Sequence, residues 1–227
     1  MKKTAGFLVT TLLLAGMTTP AAAQMGSRSL ELGVAGGINF STVSVSDDEG
    51  VDFKNRTAFG GGLFLRIPVG SMLAFTPQVL YVGKGTKASG DDLDDAELTL
   101  KLNYIEVPLL IQVPFGAGAG ATPYLFAGPT LAFEAGCTFG IESDAASLDI
   151  DCDEADEQDL ELERKKFDIG ATVGLGLRLP AGSGAFLVEG RYTLGLSNLD
   201  DSGNSDDSFK NRSAAVYVGY SFFLGSN

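Results

Sequence analysis

The sequence predicts an all-β fold, in which eight antiparallel strands close into a transmembrane barrel with short periplasmic turns and long acidic extracellular loops. Three observations lead to this prediction. Apolar residues recur at every second position from Leu30 onward, which is the period of a strand with two different faces. Long polar connections alternate with short turns along the chain. The acidic residues lie in the long connections and avoid the apolar strand faces.

Eight runs of residues follow the alternating pattern. The sixth is the clearest, because apolar side chains at the odd positions from Phe167 to Leu179 alternate with polar or small residues at the even positions. The runs predict strands at residues 30–41, 57–68, 72–84, 98–113, 122–139, 167–179, 185–197 and 212–224.

The fourth run changes its pattern along its length. Its second half has apolar residues at the odd positions 105–113, whereas its first half has Leu98, Leu100 and Leu102 at even positions. This change predicts either a bulge near Tyr104 or a strand that rises above the membrane at this point.

The connections distinguish a membrane barrel from a soluble sandwich or lipocalin-like barrel. Residues 42–56, 85–97, 140–166 and 198–211 form long polar loops, and short turns lie between them, as is typical of membrane barrels. Of the 29 acidic residues, 24 lie in or beside these loops, and the other five lie at the polar positions of strands. A soluble barrel would instead direct its apolar face inward and its charges outward.

The first residues have the composition of an export signal. Lys2 and Lys3 precede a short apolar core at residues 7–17, and small residues follow at 21–23. A spanning helix needs ~20 apolar residues, so this core is too short for a membrane anchor. We expect a cleaved signal peptide at residues 1–23 and one barrel domain at residues 24–227, located in the bacterial outer membrane.

The composition argues against several functions. With 16 basic and 29 acidic residues, the chain lacks the basic surface that nucleic acid requires. It has no histidine, the usual catalytic base of outer-membrane hydrolases and acyltransferases. The glycine-rich segments 116–120 and 174–176 do not have the pattern of a nucleotide-binding loop. The sequence therefore predicts a protein that is not an enzyme and needs no cofactor.

The two cysteines, Cys137 and Cys152, lie in a chain destined for an oxidising compartment. They predict a disulfide, which would stabilise the protein by about 3 kcal/mol if unstrained. Two free thiols are the alternative.

Charged residues at the polar strand positions would line the barrel lumen. An eight-stranded barrel is only wide enough for its own side chains, so these charges must pair. We expect Glu31 to pair with Arg66. A filled lumen is favoured by the large inward residues Phe64, Leu80, Leu110 and Phe126, and a narrow ion or solute path is the alternative. The expected lumen charges are Glu31, Arg66, Lys84, Glu106, Glu134, Asp168, Arg178, Glu189 and Arg191.

The third long loop is strongly acidic. The spacing of Asp149, Asp151 and Asp153 resembles the start of a calcium-binding loop. Glu154 replaces the turn glycine, however, and Leu160 replaces the final ligand glutamate. The loop is therefore either simply solvated and held at its base by the disulfide, or a weak site for divalent cations.

Basic residues cluster at the outer ends of the predicted strands. There they would form a cationic rim that contacts lipopolysaccharide phosphates, or they would neutralise the acidic loops above them. The residues are Lys54, Arg56, Lys84, Lys87, Lys101, Arg164, Lys165, Lys166, Lys210 and Arg212.

Several stretches together resemble the PorT-like "outer membrane protein β-barrel" family, which is similar in plan to the small OmpX- and OmpA-type barrels. The resemblance implies the fold and the outer membrane but implies little about activity. The matching stretches are residues 33–41, 75–81 with 84–85, 102–110, 123–129, 189–199 and 210–212.

The last strand also resembles the recognition signal of the barrel-assembly machinery, through Tyr217, Gly219, Phe222 and Leu224. It departs from that signal because three further residues follow, whereas such chains usually end on an aromatic residue. The resemblance implies that this machinery is a partner during assembly.

Three hypotheses for function follow from the sequence. The first is a non-enzymatic monomeric barrel that stabilises the envelope or binds ligands, lipopolysaccharide or partners through its loops. The second is a narrow porin-type channel. The third is an accessory role in protein secretion.

Overall fold

The computed structural model describes residues 29–44, 52–70, 72–89, 97–116, 120–142, 147–152, 166–197 and 210–224. The expected signal peptide, residues 1–23, lies outside the described residues. Among the described residues there is no helix of the length and apolar character needed to cross a bilayer. The strands are β1 Leu30–Ser44, β2 Asp52–Val69, β3 Leu73–Ser89, β4 Glu97–Pro114, β5 Thr122–Glu142, β6 Ser147–Asp151, β7 Phe167–Ala181, β8 Gly184–Gly195 and β9 Lys210–Leu224.

Eight of these strands form a closed antiparallel barrel, which confirms the predicted fold. Each strand pairs with its neighbour in the chain, except that β7 follows β5 around the barrel. Strand β1 pairs with β2 on one side and with β9 on the other, so the first and last strands close the cylinder. Closure satisfies the backbone groups of every barrel strand within the sheet, which lipid cannot do.

Strand β6 was not predicted. It lies in the third long loop and pairs with the outer end of β5, from Thr138 opposite Asp151 to Glu142 opposite Ser147. Its five residues alternate in polarity. The alternation covers only five residues of an acidic segment. The sequence therefore suggested a weak cation site at Asp149 and Asp151 instead of a strand.

The outer ends of several strands are longer than predicted. Strand β2 begins at Asp52 rather than at residue 57, and β3 continues to Ser89 rather than ending at residue 84. Backbone pairing there continues beyond the apolar stretch, because the hydrogen-bond ladder needs no apolar side chains. The prediction used side-chain polarity and therefore ended these strands early.

The two faces of the barrel have inverted polarity. In β1, Val34 is 54% exposed, whereas its polar neighbours Glu31 and Asn39 are only 1% and 3% exposed. The same alternation of exposed apolar and buried residues runs through β7 and β8. Such an outer surface requires an apolar solvent. The stretch from Leu30 to Phe40 in β1, tilted by ~40°, would span about 25 Å, which is the height of the apolar band of outer-membrane barrels.

Aromatic side chains flank this apolar band at both ends. At the end with the short turns, Tyr220 packs edge-on against Phe186 and Phe222, with ring centroids 4.8 and 4.9 Å apart. At the end with the long loops, the rings of Phe133 and Phe167 are 5.1 Å apart. Such belts are typical of the two membrane–water interfaces.

The irregularity expected near Tyr104 is present, but it lies in the partner strand. Asn103 pairs with Gly136 and Tyr104 pairs with Glu134, so β5 has one extra residue, Ala135, at this point. Strand β4 itself keeps its alternation, and Leu102 faces the lumen beside Tyr104. The apparent change of pattern in β4 therefore reflects an apolar cluster inside the outer end of the barrel.

The inverted polarity predicts that an added charge destabilises the barrel much more within the membrane band than above it. Leu175 is 63% exposed near the middle of this band, and Leu148 is 56% exposed on β6 above it. We expect Leu175→Arg to lower the free energy of unfolding by about 2–4 kcal/mol, because the guanidinium would enter hydrocarbon. Leu148→Arg is the control, with an expected change of less than ~1 kcal/mol. The measurement is urea unfolding in phospholipid vesicles, and equal effects of the two variants would contradict the assignment of the band.

Candidate functional site in the barrel lumen

The lumen contains all nine of the charged side chains expected there. Seven of them are buried, and Arg66 and Glu134 are half-buried. Each lies at an inward position because it shares the polar face of its strand. Three ion-paired groups lie along the barrel axis, and they consist of Glu31, Arg66, Arg178, Glu189, Arg191, Lys84 and Glu106.

The first group lies near the short turns and is centred on Glu31. Arg66 Nη1 donates to its carboxylate at 3.0 Å, so the expected pair is present. Arg178, on the far side of the lumen, binds the same carboxylate at 2.8 Å, and the Ser221 hydroxyl donates to it at 2.6 Å. Arg66 also donates to Gln112 at 3.3 Å. One carboxylate thus holds two guanidinium groups, a sharing that strand alternation could not reveal.

The second group crosses the middle of the lumen and is centred on Arg191. Its guanidinium forms a buried ion pair with Glu189 and donates to Gln78 at 3.1 Å. It also lies over the ring of Tyr217, 4.3 Å from the centroid, and near that of Phe126. Arg191 therefore contacts side chains of β3, β5 and β9 besides its own strand.

Uncharged polar residues extend this layer. The Tyr124 hydroxyl donates to Glu189 at 2.7 Å, and the Asn39 amide donates to the Tyr217 hydroxyl at 3.3 Å. The hydroxyls of Thr130, Thr172 and Thr193 form a row across three strands with separations of 2.7 and 2.8 Å. Sequence analysis missed these residues because it considered only charges, although their inward positions were visible in the alternation.

Glycines on β7 leave the room that the large rings need. Tyr124 pairs in register with Gly176, and Phe126 with Gly174. A side chain at either glycine would collide with the ring of its partner. The aromatic residues of β5 thus lie over the glycines of β7, which fills the lumen without distorting the sheet.

The third group lies in the outer half of the lumen. Lys84 forms a buried ion pair with Glu106, and its ammonium lies 5.6 Å from the centre of the Tyr104 ring. Lys84 was also expected in the basic rim. That expectation is wrong, because the side chain is only 3% exposed and faces inward.

The other rim residues have different surroundings. Arg56 is half-buried and donates to the carbonyl oxygen of Lys84, and Lys87 is also half-buried. Lys101 binds Asp149 at 2.8 Å, while Lys166 and Arg212 are exposed. The side chains of Lys54 and Lys210, and the whole of Arg164 and Lys165, lie outside the described residues.

The expected disulfide joins Cys137 to Cys152, whose Cα atoms are 5.4 Å apart. Both cysteines are buried and pack with Leu102, Tyr104 and Ala132. The bond ties the end of β6 to an inward position on β5. It thereby holds the base of the acidic loop against the outer end of the lumen.

The calcium-like aspartates do not converge in the part of the chain that the structure describes. Both carboxylate oxygens of Asp149 bind Lys101 at 2.8 Å, and Asp151 is exposed. Asp153 lies outside the described residues. Among the residues described, no group of three His, Cys, Asp or Glu side chains is arranged to hold a metal ion.

The residues that resemble an assembly signal lie on both faces of β9. Tyr217 faces the lumen and is 1% exposed, whereas Phe222 and Leu224 face outward and are 53% and 40% exposed. Gly219 is half-buried.

Comparison with protein families identifies the family of this barrel. The family described as outer membrane protein beta-barrel domain matches residues 22–201. The chain belongs to this family. It is therefore a protein of the bacterial outer membrane, as its inverted polarity predicts. The PorT-like subset named by the sequence resemblance is not distinguished by this match.

Several solved outer-membrane structures are similar to the chain. OprG of Pseudomonas aeruginosa has 15% identity and a TM-score of 0.48, with 88% of this chain and 99% of OprG covered. The attachment invasion locus protein Ail of Yersinia pestis has 15% identity and a TM-score of 0.41, with 86% and 99% covered. Neisserial surface protein A has 13% identity and a TM-score of 0.45, with 85% and 97% covered. A comparison with curated proteins gives no match.

Neutralising Glu31 should lower the free energy of unfolding much more than neutralising an exposed carboxylate. We expect Glu31→Gln to lower the free energy of unfolding by about 3–5 kcal/mol, because the buried Arg178 and the half-buried Arg66 both lose the charge of this carboxylate. Asp149→Asn is the matched control, since it removes an exposed pair worth less than ~1 kcal/mol. Urea unfolding in vesicles would measure both variants. A small effect of Glu31→Gln would mean that water or lipid headgroups reach this end of the lumen.

Proposed function

We propose that this protein is a non-enzymatic outer-membrane barrel whose lumen is closed by its own side chains and whose activity lies at its outer surface. The Arg191 layer is the observation that supports this proposal most directly. Arg191, Glu189 and Tyr217 are each at most 8% exposed, although all three point toward the barrel axis. The proposed role is structural support of the envelope together with surface binding.

The Arg191 layer should block the passage of ions through the lumen. The interior of an eight-stranded barrel has room for side chains and little else. An ion crossing this barrel would have to displace the guanidinium of Arg191 from Glu189, Gln78 and the Tyr217 ring at once. Separating a buried ion pair costs several kcal/mol, so the layer acts as a plug.

Single-channel recording in planar bilayers tests the plug. We expect the refolded wild-type barrel to give no steady conductance, and the double variant Arg191→Ser with Glu189→Ser to give reproducible openings. The matched control is Lys101→Ser with Asp149→Ser, which removes an exposed ion pair and should leave the barrel silent. Steady wild-type conductance would contradict the plug and favour a narrow channel.

The outer rim supplies the proposed binding surface. Arg212 is exposed on β9, directly beyond the outward Ala214 and Val216 of the apolar band. A guanidinium at this height can form paired hydrogen bonds with lipopolysaccharide phosphates. Lys101 is less suited to this role, because its ammonium already binds Asp149.

Binding of lipopolysaccharide should stabilise the folded barrel through Arg212. We expect the wild type to unfold at higher urea concentration in vesicles containing lipopolysaccharide than in phosphatidylglycerol vesicles. Arg212→Gln should reduce this gain by about 1 kcal/mol. Lys101→Gln is the control and should retain the gain. An unchanged gain in Arg212→Gln would remove this residue from the proposed contact.

We also propose that the barrel acts as a monomer and that β9 guides its assembly. The outward Phe222 and Leu224 support this proposal, because an assembly factor could contact them before the strand meets β1. Co-purification with a secretion partner would instead favour the accessory role in secretion.

A further inference from the structure

A buried carboxylate in the outer half of the lumen has no counter-charge among the described residues. Asp168 is 3% exposed, and its Oδ1 atom has no hydrogen-bond partner. Its Oδ2 atom accepts only a long hydrogen bond from the Asn211 amide, at 3.5 Å. None of the Lys and Arg side chains that the structure describes forms an ion pair with it. A buried charge in this state is costly unless something neutralises it.

The sheet register places further carboxylates beside Asp168. Glu106, Ala132 and Asp168 occupy one row across β4, β5 and β7. The side chain between the two acids in this row is the methyl group of Ala132. Glu134 is the cross-strand partner of Tyr104, which lies on the same inward face of β4 as Glu106. We call Tyr104, Glu106, Glu134, Asp168 and Asn211 the acidic recess.

The nearby bases do not neutralise Asp168. Lys84 is paired with Glu106, and the Arg56 guanidinium donates to the carbonyl oxygen of Lys84. At the opposite end of the lumen, the guanidinium groups of Arg66 and Arg178 share the carboxylate of Glu31. Asp168 is therefore a buried carboxylate of the outer half that these bases leave without a counter-charge.

We propose that the acidic recess binds a monovalent metal cation, of the size of Na⁺ or K⁺, at Oδ1 of Asp168. A hard cation prefers oxygen ligands, and the recess offers carboxylate, amide and phenol groups. The described residues contain no set of three converging ligands of the kind that a divalent metal site uses. A monovalent ion that keeps part of its hydration shell fits this arrangement, because it supplies one charge and needs few protein ligands.

Thermal unfolding in different chloride salts tests the proposal. We expect the wild-type barrel to unfold roughly 3–6 °C higher in KCl or NaCl than in choline chloride of equal ionic strength, because choline is too large for the recess. Asp168→Asn should unfold at the same temperature in all three salts. Asp151→Asn, the same substitution at an exposed acid on β6, is the control and should keep the wild-type dependence on the cation.

Crystals of the wild-type protein soaked in thallium(I) give a second measurement that does not depend on a variant. Anomalous scattering from thallium beside Oδ1 of Asp168 would support the site. Wild-type unfolding that is independent of the cation, or thallium crystals without a peak in the recess, would overturn the proposal. Asp168 would then be protonated or hydrated.

Discussion

The structure depends on one constraint, which is that a chain in lipid must satisfy every backbone hydrogen-bonding group without water. Pairing of β1 with both β2 and β9 meets this constraint by closing the sheet. Closure then divides every strand into a face toward lipid and a face toward the lumen. The polarity of each residue, and hence most of the sequence pattern, follows from that division.

Closure also decides how the lumen is stabilised. The interior is narrow, so inward charges pair within a strand, between neighbouring strands or across the lumen, as Glu189–Arg191, Glu31–Arg66 and Glu31–Arg178 do. Arg178 reaches Glu31 across 147 residues of sequence, and Asn39 reaches Tyr217 across 178. The first contact joins β7 to β1, and the second joins β9 to β1 where the sheet closes. The ion pairs therefore stabilise the closed sheet as well as neutralising one another, while the glycines of β7 provide the space for the rings of Tyr124 and Phe126.

The sequence predicted the barrel well, because lipid imposes a simple alternation on each strand. It predicted the Glu31–Arg66 pair for the same reason, since neighbouring strands bring these two positions together. It could not predict that Arg178 shares this carboxylate, because contacts across a lumen depend on strand tilt and on side-chain length. Lys84 was assigned both to the lumen and to the basic rim, and its even position on β3 follows the regular alternation, which places it inward beside Glu106. The extra residue in β5 was assigned to the wrong strand, because an inward apolar cluster in β4 produced the same signal.

The same packing that stabilises the lumen restricts where the protein can act. The Glu31 group occupies the lumen near the short turns, the Arg191 layer occupies the middle, and the disulfide holds the base of the acidic loop over the outer end. Among the described residues, the strands extend by different lengths beyond the apolar band. Strands β3 to β5 continue outward and carry β6 beside them, whereas β7 begins at Phe167 and β8 ends at Gly195, near the outer aromatic belt. The described outer ends of β4, β5 and β6 therefore place the exposed side chains of Asp149 and Asp151 beyond the apolar band.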